Sequence, residues 1–304
     1  MALRLSIIVI GFDMKRELPR TVVSLLPPYQ QGVHHDEVEI IVVDNGSAEP
    51  VCRDWFPEEA AIRVERVEGG GASPCMAINE GARLARAEHL AVVIDGARMA
   101  SPGLVKTALA AAGIHPRSFV ATLGFHLGPK VQQVSVTEGY TREIEDSLLA
   151  SIGWPREGYR LFEVCALGES YIYGVLKVPS ETTFCVMKTA LFHEINGYDE
   201  RFVQLGGGLA SFDFFRRALE AAGEGFVMLV GEGTFHQLHY GATTQAGGIG
   251  RRYDGEASLG DVYTREYEEI VGRPFAFATQ VPLLFGRVTH PEVPRLFLRA
   301  ADHQ

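Results

Sequence analysis

The sequence predicts an α/β fold: a doubly wound, mostly parallel sheet flanked by helices. Three observations carry this expectation. Short, nearly continuous β-branched runs recur at residues 5–10, 38–43 and 90–94, as strands buried on both faces require. Helical periodicity fills the intervals between them, and alternation of this kind implies right-handed crossovers. Each run also ends in an acidic residue beside Gly or Asn, at Gly11-Phe12-Asp13, Asp44-Asn45-Gly46 and Asp95-Gly96. In an open parallel sheet that is the edge where ligands bind.

The elements follow in order. After the first run, Leu18, Val22, Leu25 and Leu26 recur at helical spacing until Pro27 and Pro28 stop them. A second helix opens on Ser73 as N-cap with Pro74 behind it and runs to about Arg86. A third opens the same way at Ser101-Pro102, sets Val105, Ala108, Leu109 and Ala112 on one face, and ends before Gly113. Residues 118–123 predict a strand, whereas 124–180 carry no assignable pattern and hold Trp154, Tyr159, Tyr171 and Tyr173, read as core packing ahead of a sugar-stacking wall. Next come a strand at 181–188, a short helix at 191–195 stopped by Asn196-Gly197, a helix at 209–222 with Phe212, Phe215 and Leu219 on one face, and a strand at 226–230. Beyond Gly241 the composition shifts to Gly, Thr, Arg and Tyr, which predicts a loop and tail.

Composition excludes several classes. The chain has 304 residues, 46% hydrophobic and 22% charged, enough to bury a full core and inconsistent with disorder or coiled coil. Twenty-eight basic against 38 acidic residues give a net charge of −10, which argues against a nucleic-acid partner because phosphate contacts need clustered Lys and Arg. No apolar stretch reaches the length of a transmembrane segment. The four cysteines show no CxxC spacing, so reduced thiols and a cytoplasmic address are expected, with peripheral membrane attachment left open.

Several blocks in order resemble one family. Ser6-Ile-Ile-Val-Ile-Gly-Phe-Asp13 leads to Leu18-Pro-Arg-Thr-Val-Val-Ser-Leu-Leu26 and then Glu39-Ile-Ile-Val-Val-Asp-Asn-Gly-Ser47. Ile78-Asn-Glu-Gly-Ala82 precedes Ala87-Glu-His-Leu-Ala-Val-Val-Ile-Asp95, and Asn196-Gly-Tyr-Asp-Glu-Arg-Phe202 precedes Asp213-Phe-Phe-Arg-Arg-Ala218. Together, over most of residues 5–245, they resemble glycosyltransferase family 2, inverting nucleotide-sugar transferases of GT-A fold. The resemblance implies a GT-A domain over 1–244, with a nucleotide-binding half at 1–98 and an acceptor half at 99–244. Residues 245–304 are then a loop and tail able to act as a lid.

The resemblance also implies partners and roles. The donor is a nucleoside-diphosphate-sugar, uridine-linked ahead of guanosine or thymidine, and the acceptor is a hydroxyl on a glycan, a lipid-linked or a small molecule. A homodimer is compatible with it. Asp44 is expected to accept the imino N–H of the base, a task suited to a pure acceptor, with Gly11, Phe12, Asp13 and Asn79 in the same donor set. The family's DxD is degenerate here. Asp95-Gly96-Ala97-Arg98 keeps the first acid, but Ala97 cannot bind a metal. Either Arg98, with Arg251 and Arg252, neutralises the diphosphate, or Mg²⁺ or Mn²⁺ binds through Asp95 with His236 or His239. Zinc is not expected, since no Cys or further His stands near at ligand spacing. For the general base the resemblance points to Asp213, although the family's paired acids fall on Ala210 and Ser211; Glu181 and Asp199 are alternatives. The rival reading is a catalytically silent nucleotide-sugar or glycan-binding subunit of the same fold.

Overall fold

The computed structural model describes residues 2–58 and 60–299. The strands are β1 Leu5–Gly11, β2 Val38–Asp44, β3 Ile62–Arg66, β4 His89–Val93, β5 Arg98–Ala100, β6 Phe119–Leu127, β7 Cys165–Leu167, β8 Phe184–Lys188, β9 Phe226–His236, β10 Arg252–Asp254, β11 Ala257–Ser258 and β12 Leu283–Gly286. The α-helices are α1 Leu18–Ser24, α2 Cys75–Leu84, α3 Leu104–Ala112, α4 Gln132–Ser135, α5 Arg142–Ser151, α6 Thr189–Glu194, α7 Ala210–Ala222, α8 Leu259–Val271 and α9 Val293–Phe297.

One sheet runs in the order β12-β9-β6-β8-β4-β1-β2-β3, with β5 paired to β9 and β7 to β6. The β3-β2-β1-β4 half is parallel, as are β6-β9 and β9-β12, whereas β8 lies antiparallel between β4 and β6. This mostly parallel, helix-flanked sheet is the GT-A architecture the resemblance implies. Alternate residues of β1 and β2 feed two different cores. Ile8, Ile10, Ile41 and Val43 face one cluster, while Leu5, Ile7, Val9, Val38, Ile40 and Val42 face the other. Burial on both faces is why these strands read as unbroken apolar runs. Gly81 lets α2 settle onto this sheet, since a Cβ there would lie 2.5 Å from Ile8 and 3.1 Å from Val43.

The structure corrects several expectations. The strand expected at 226–230 continues to His236. The register against β6 shifts between Ala121 and Leu123, and Gly231 takes a φ of 83°, so a bulge interrupts the apolar pattern without ending the pairing. Phe212 is not on the deep face of α7: Phe214 and Phe215 are buried instead, and Phe212 packs edge-on to Phe275 at 5.3 Å. The described part of 245–304 is not a loose tail. Ser258 and Asp261 form a capping box that opens α8, and β12 pairs in parallel with the outer edge of β9. In α9, Phe297 is fully buried with its ring 5.5 Å from Phe125 and 5.9 Å from Phe162. These apolar contacts come from residues too scattered along the chain to show a period. No described helix is long and apolar enough to cross a membrane.

Because α9 completes the core, Phe297→Ala is expected to cost about 3–5 kcal/mol, read as a lower urea midpoint; an unchanged midpoint would mean that the segment is peripheral.

Candidate functional site

The site forms where the sheet's carboxyl edge is crossed by β5. After β4 the chain turns tightly, with the Ala97 N–H donating to Asp95 Oδ1 at 2.9 Å and the Gly96 N–H to the Ile10 carbonyl at 2.7 Å. Gly96 is required there, because a Cβ would sit 2.6 Å from that carbonyl oxygen. The next residues form β5, which pairs antiparallel with β9 and sets Arg98 opposite His236. A loop near residue 95 thereby meets the end of a strand near 236.

Three ligand-type atoms converge at this crossing. Asp95 Oδ2 lies 2.8 Å from His236 Nε2 and 3.2 Å from His239 Nε2, and the two imidazole nitrogens are 3.1 Å apart. His236 is buried, and the Asp95 side chain keeps 19% of its surface open. Burial opposes ionisation of Asp95, but His239 and His236 outweigh it and hold the carboxyl well below its ordinary range. Burial, with Arg98 adding to it, pushes His236 down to about 4 against the pull of Asp95. Burial also opposes charge on His239, but there Asp95 wins and the pKa rises above 6.5. The two imidazoles are thus shifted in opposite directions, His239 toward its protonated form and His236 away from it. One carboxylate and two imidazoles within 4.8 Å can hold a divalent cation. The mixed donor set suits Mn²⁺ better than Mg²⁺, which prefers an all-oxygen shell.

The loop carrying His239 is held on both sides. The Gln237 N–H donates to the Ala97 carbonyl at 2.8 Å, and its side-chain amide donates to the Glu17 carbonyl at 3.1 Å. From α5, Glu145 accepts from the Leu238 N–H at 2.8 Å while Arg142 donates to the Leu238 carbonyl at 3.2 Å. Burial pushes Glu145 up to about 6.

Several residues expected to bind the donor occupy the same sheet edge. Asp44 ends β2 in register with Gly11, and the Asn45 N–H donates to the Gly11 carbonyl at 2.8 Å. Only β1 separates the ends of β2 and β4, so Asp44 and Asp95 stand roughly 10 Å apart by strand spacing. Asp44 is 1% exposed and already engaged, accepting from the Ser47 and Val51 N–H groups at 2.8 and 3.2 Å and from Arg66 at 2.6 Å. Asp13, at a φ of 52°, accepts from the Ala48 N–H at 2.8 Å, and Phe12 beside it is exposed. Arg98 carries a buried Nε with no partner among the described residues, and so does Arg251.

Other candidates fall outside the cluster. Asn79 ties α2 to the following block by bonding the Tyr198 backbone through both its oxygen and nitrogen, at 2.9 and 2.8 Å. Arg252 is exposed at the start of β10, and Arg251 stacks 5.6 Å over Tyr253. Asp213 is buried in the first turn of α7 with both oxygens in ion pairs, to Arg216 at 3.0 Å and Arg217 at 2.7 Å. Arg217 in turn holds the Ile195 and Gly197 carbonyls, so Asp213 braces a loop. Asp199 pairs with Arg201 at 2.6 Å. Glu181 accepts from the Ser170 hydroxyl at 2.6 Å, and its second oxygen has no partner among the described residues. It precedes β8, whose Phe184 pairs with Val93, so Glu181 lies at the same edge as Asp95. Sequence reasoning missed Gln132 and His126. Gln132 bonds His236, and the His126 ring lies 5.4 Å from it. Nothing in their spacing marks them, since the Gln132–His236 contact spans 104 residues.

Two outcomes are expected. Asp213→Asn should lose about 3 kcal/mol of stability by urea unfolding, the scale for breaking a buried ion pair; unchanged stability with abolished turnover would instead make Asp213 a base. His239 should titrate above 6.5 by NMR and fall back in Asp95→Asn. The sign follows from linkage. The His239 contribution to stability is complete below the unfolded value and is lost as pH rises through the raised one. That of Asp95 is lost as pH falls through its depressed value.

No protein-family model matches the chain, and no curated protein matches it. Among solved structures, S. aureus TarS residues 1–349 align with 14% identity and a TM-score of 0.49, covering 77% of this chain and 58% of that one. The same protein in complex with UDP-GlcNAc gives 14% identity, a TM-score of 0.48 and coverages of 77% and 56%. Mannosyltransferase PcManGT from Pyrobaculum calidifontis, in complex with GDP-Man and Mn²⁺, gives 15%, 0.45, 79% and 58%. The chain thus spans little more than half the length of these neighbours.

Proposed function

We propose that this chain is an inverting glycosyltransferase that moves a sugar from a nucleoside-diphosphate donor, UDP-linked, to an acceptor hydroxyl. The observation that carries the reading is the convergence of Asp95, His236 and His239 beside Arg98, one strand away from Asp44. Phe12 offers an exposed aromatic face to the base, and the Asp44 turn orients the base and ribose. Arg98, whose buried Nε lacks a partner, faces the diphosphate. Asp95, His236 and His239 would hold a Mn²⁺ or Mg²⁺ ion, which when bound supplies positive charge to the leaving diphosphate.

Attack at the anomeric carbon needs a carboxylate to take the acceptor proton. Asp213 is committed to two arginines, so Glu181, with one free oxygen at the same edge, is the better base. Its proton acceptance breaks the acceptor O–H bond as the new glycosidic bond forms and the sugar–phosphate bond breaks. The silent nucleotide-sugar-binding subunit is the second reading, favoured by the engagement of Asp213 and by Ala97 in place of the second DxD acid.

Calorimetric titration of UDP with and without Mn²⁺ is expected to show binding that Mn²⁺ strengthens and that Asp95→Asn uncouples from the metal. No binding in either condition would remove the donor assignment. Release of UDP from a UDP-sugar separates the enzyme from the silent subunit, which binds without turnover.

A further inference from the structure

Gln132 is completely buried at the start of α4 and makes three hydrogen bonds to two histidines. Its side-chain Nε2 donates to the His236 carbonyl at 2.9 Å, its Oε1 lies 2.6 Å from His236 Nδ1, and its backbone N–H donates to His126 Nδ1 at 2.9 Å. The chemistry of these contacts fixes proton positions. A carbonyl only accepts, so the atom facing the His236 carbonyl must be the amide nitrogen; turning the amide over would set two acceptors against each other. Oε1 then faces Nδ1, and an amide oxygen only accepts. His236 must therefore carry a proton on Nδ1, so that Nε2 is the nitrogen that presents a lone pair whenever the ring is neutral. The backbone N–H can only donate, so His126 Nδ1 is bare and its Nε2 carries the proton.

We propose that Gln132 is a positioning residue that fixes two neighbouring histidines in opposite tautomers: His236 as a lone-pair ligand for a cation and His126 as an N–H donor. The cation role rests on the reading given above; the tautomer pair does not. His236 Nε2 lies 2.8 Å from Asp95 Oδ2 and 3.1 Å from His239 Nε2. A proton shared with Asp95 or carried by His239 satisfies that contact in the metal-free protein, and a divalent ion bound there would take its place. The His126 Nε2–H has no partner among the described residues, and Arg98 and Asp95 are both near enough to act on its ring electrostatically. It can donate to an anionic oxygen of the kind a diphosphate brings. Second partners that hold a metal-binding imidazole in one tautomer commonly govern affinity 10–100-fold.

The test uses the full chain with ¹⁵N-labelled histidine and long-range ¹H–¹⁵N NMR in weakly alkaline, metal-free buffer, followed by Mn²⁺ titration read by electron paramagnetic resonance. Wild-type protein is expected to show His236 protonated at Nδ1 and His126 at Nε2. Gln132→Met removes both side-chain bonds while keeping the backbone N–H. His236 should then become a tautomer mixture, His126 should keep its form, and Mn²⁺ affinity should fall about 10–100-fold. Gln132→Glu still accepts from Nδ1 and should retain both the tautomer and Mn²⁺ binding, although it also loses the carbonyl bond. A purely structural role predicts equal losses in the two variants and overturns the proposal, as does wild-type His236 protonated at Nε2. Wild-type protein that binds no Mn²⁺ overturns the cation role alone, because the NMR spectrum still decides the tautomers.

Discussion

The pairing of β5 with β9 is the constraint on which the rest of the site depends. Three residues of β5 turn back from the end of β4 and set Arg98 against His236, and this pins Asp95 beside the two imidazoles. Without that crossing, Asp95 would be one more turn residue at a strand end. With it, a carboxylate and two nitrogens sit within hydrogen-bonding distance of one another in a mostly desolvated corner. Such an arrangement is costly unless a proton or cation neutralises it. The surroundings are therefore built to hold it. Gln132 orients His236, the Ala97 N–H satisfies the other oxygen of Asp95, the Gln237 side chain bonds Glu17 and Thr21 at the start of α1, and the Leu238 N–H bonds Glu145 of α5.

Charge is distributed around this corner with a clear division of labour. Glu17, Arg16, Arg142, Glu145 and Asp146 form a linked set whose members brace the His239 loop. Asp213, Arg216 and Arg217 do the same for the loop at 195–197. In both places acids that look catalytic by type are saturated by guanidinium groups. Arg98 is different: Arg16 and Arg216 also have an unpartnered Nε but hold carboxylates through their terminal nitrogens, whereas the Arg98 side chain makes no ion pair among the described residues. Its positive charge depresses His236 and is available to an anion. The saturated groups are thus the bracing ones, and Arg98 stands apart from them.

Much of the framework could be read from periodicity. The continuous apolar runs of β1, β2 and β4 appear because both faces of those strands are buried; the proline, serine and glycine punctuation marked where helices lie, but α2 and α3 are preceded by Pro74 and Gly103 rather than capped by Ser73 and Ser101. β3, with charged residues at three of its five positions, and the three-residue β5 gave no periodic signal. The far half of β9 was hidden by Gly231 and Gly233, which accommodate the bulge and the close approach of Phe125. The tail was misread because its buried residues Tyr267, Leu296 and Phe297 are spread over short elements, each contributing little pattern. For the site, the acids and histidines were visible as chemical types, but whether each is saturated was not.

The local sequence by itself determined the strand-end acids and the parallel N-terminal half, because these depend on residues within a few turns of one another. Which carboxylates remain free was decided by the tertiary structure. Asp213 and Asp44 are captured by partners brought by helix periodicity and sheet register, whereas Asp95 is delivered to His236 across 141 residues by one short antiparallel pairing. Hydrogen bonding and ion pairing act over a few ångströms whatever the distance along the chain. The availability of a charged group is therefore a property of its neighbours in space.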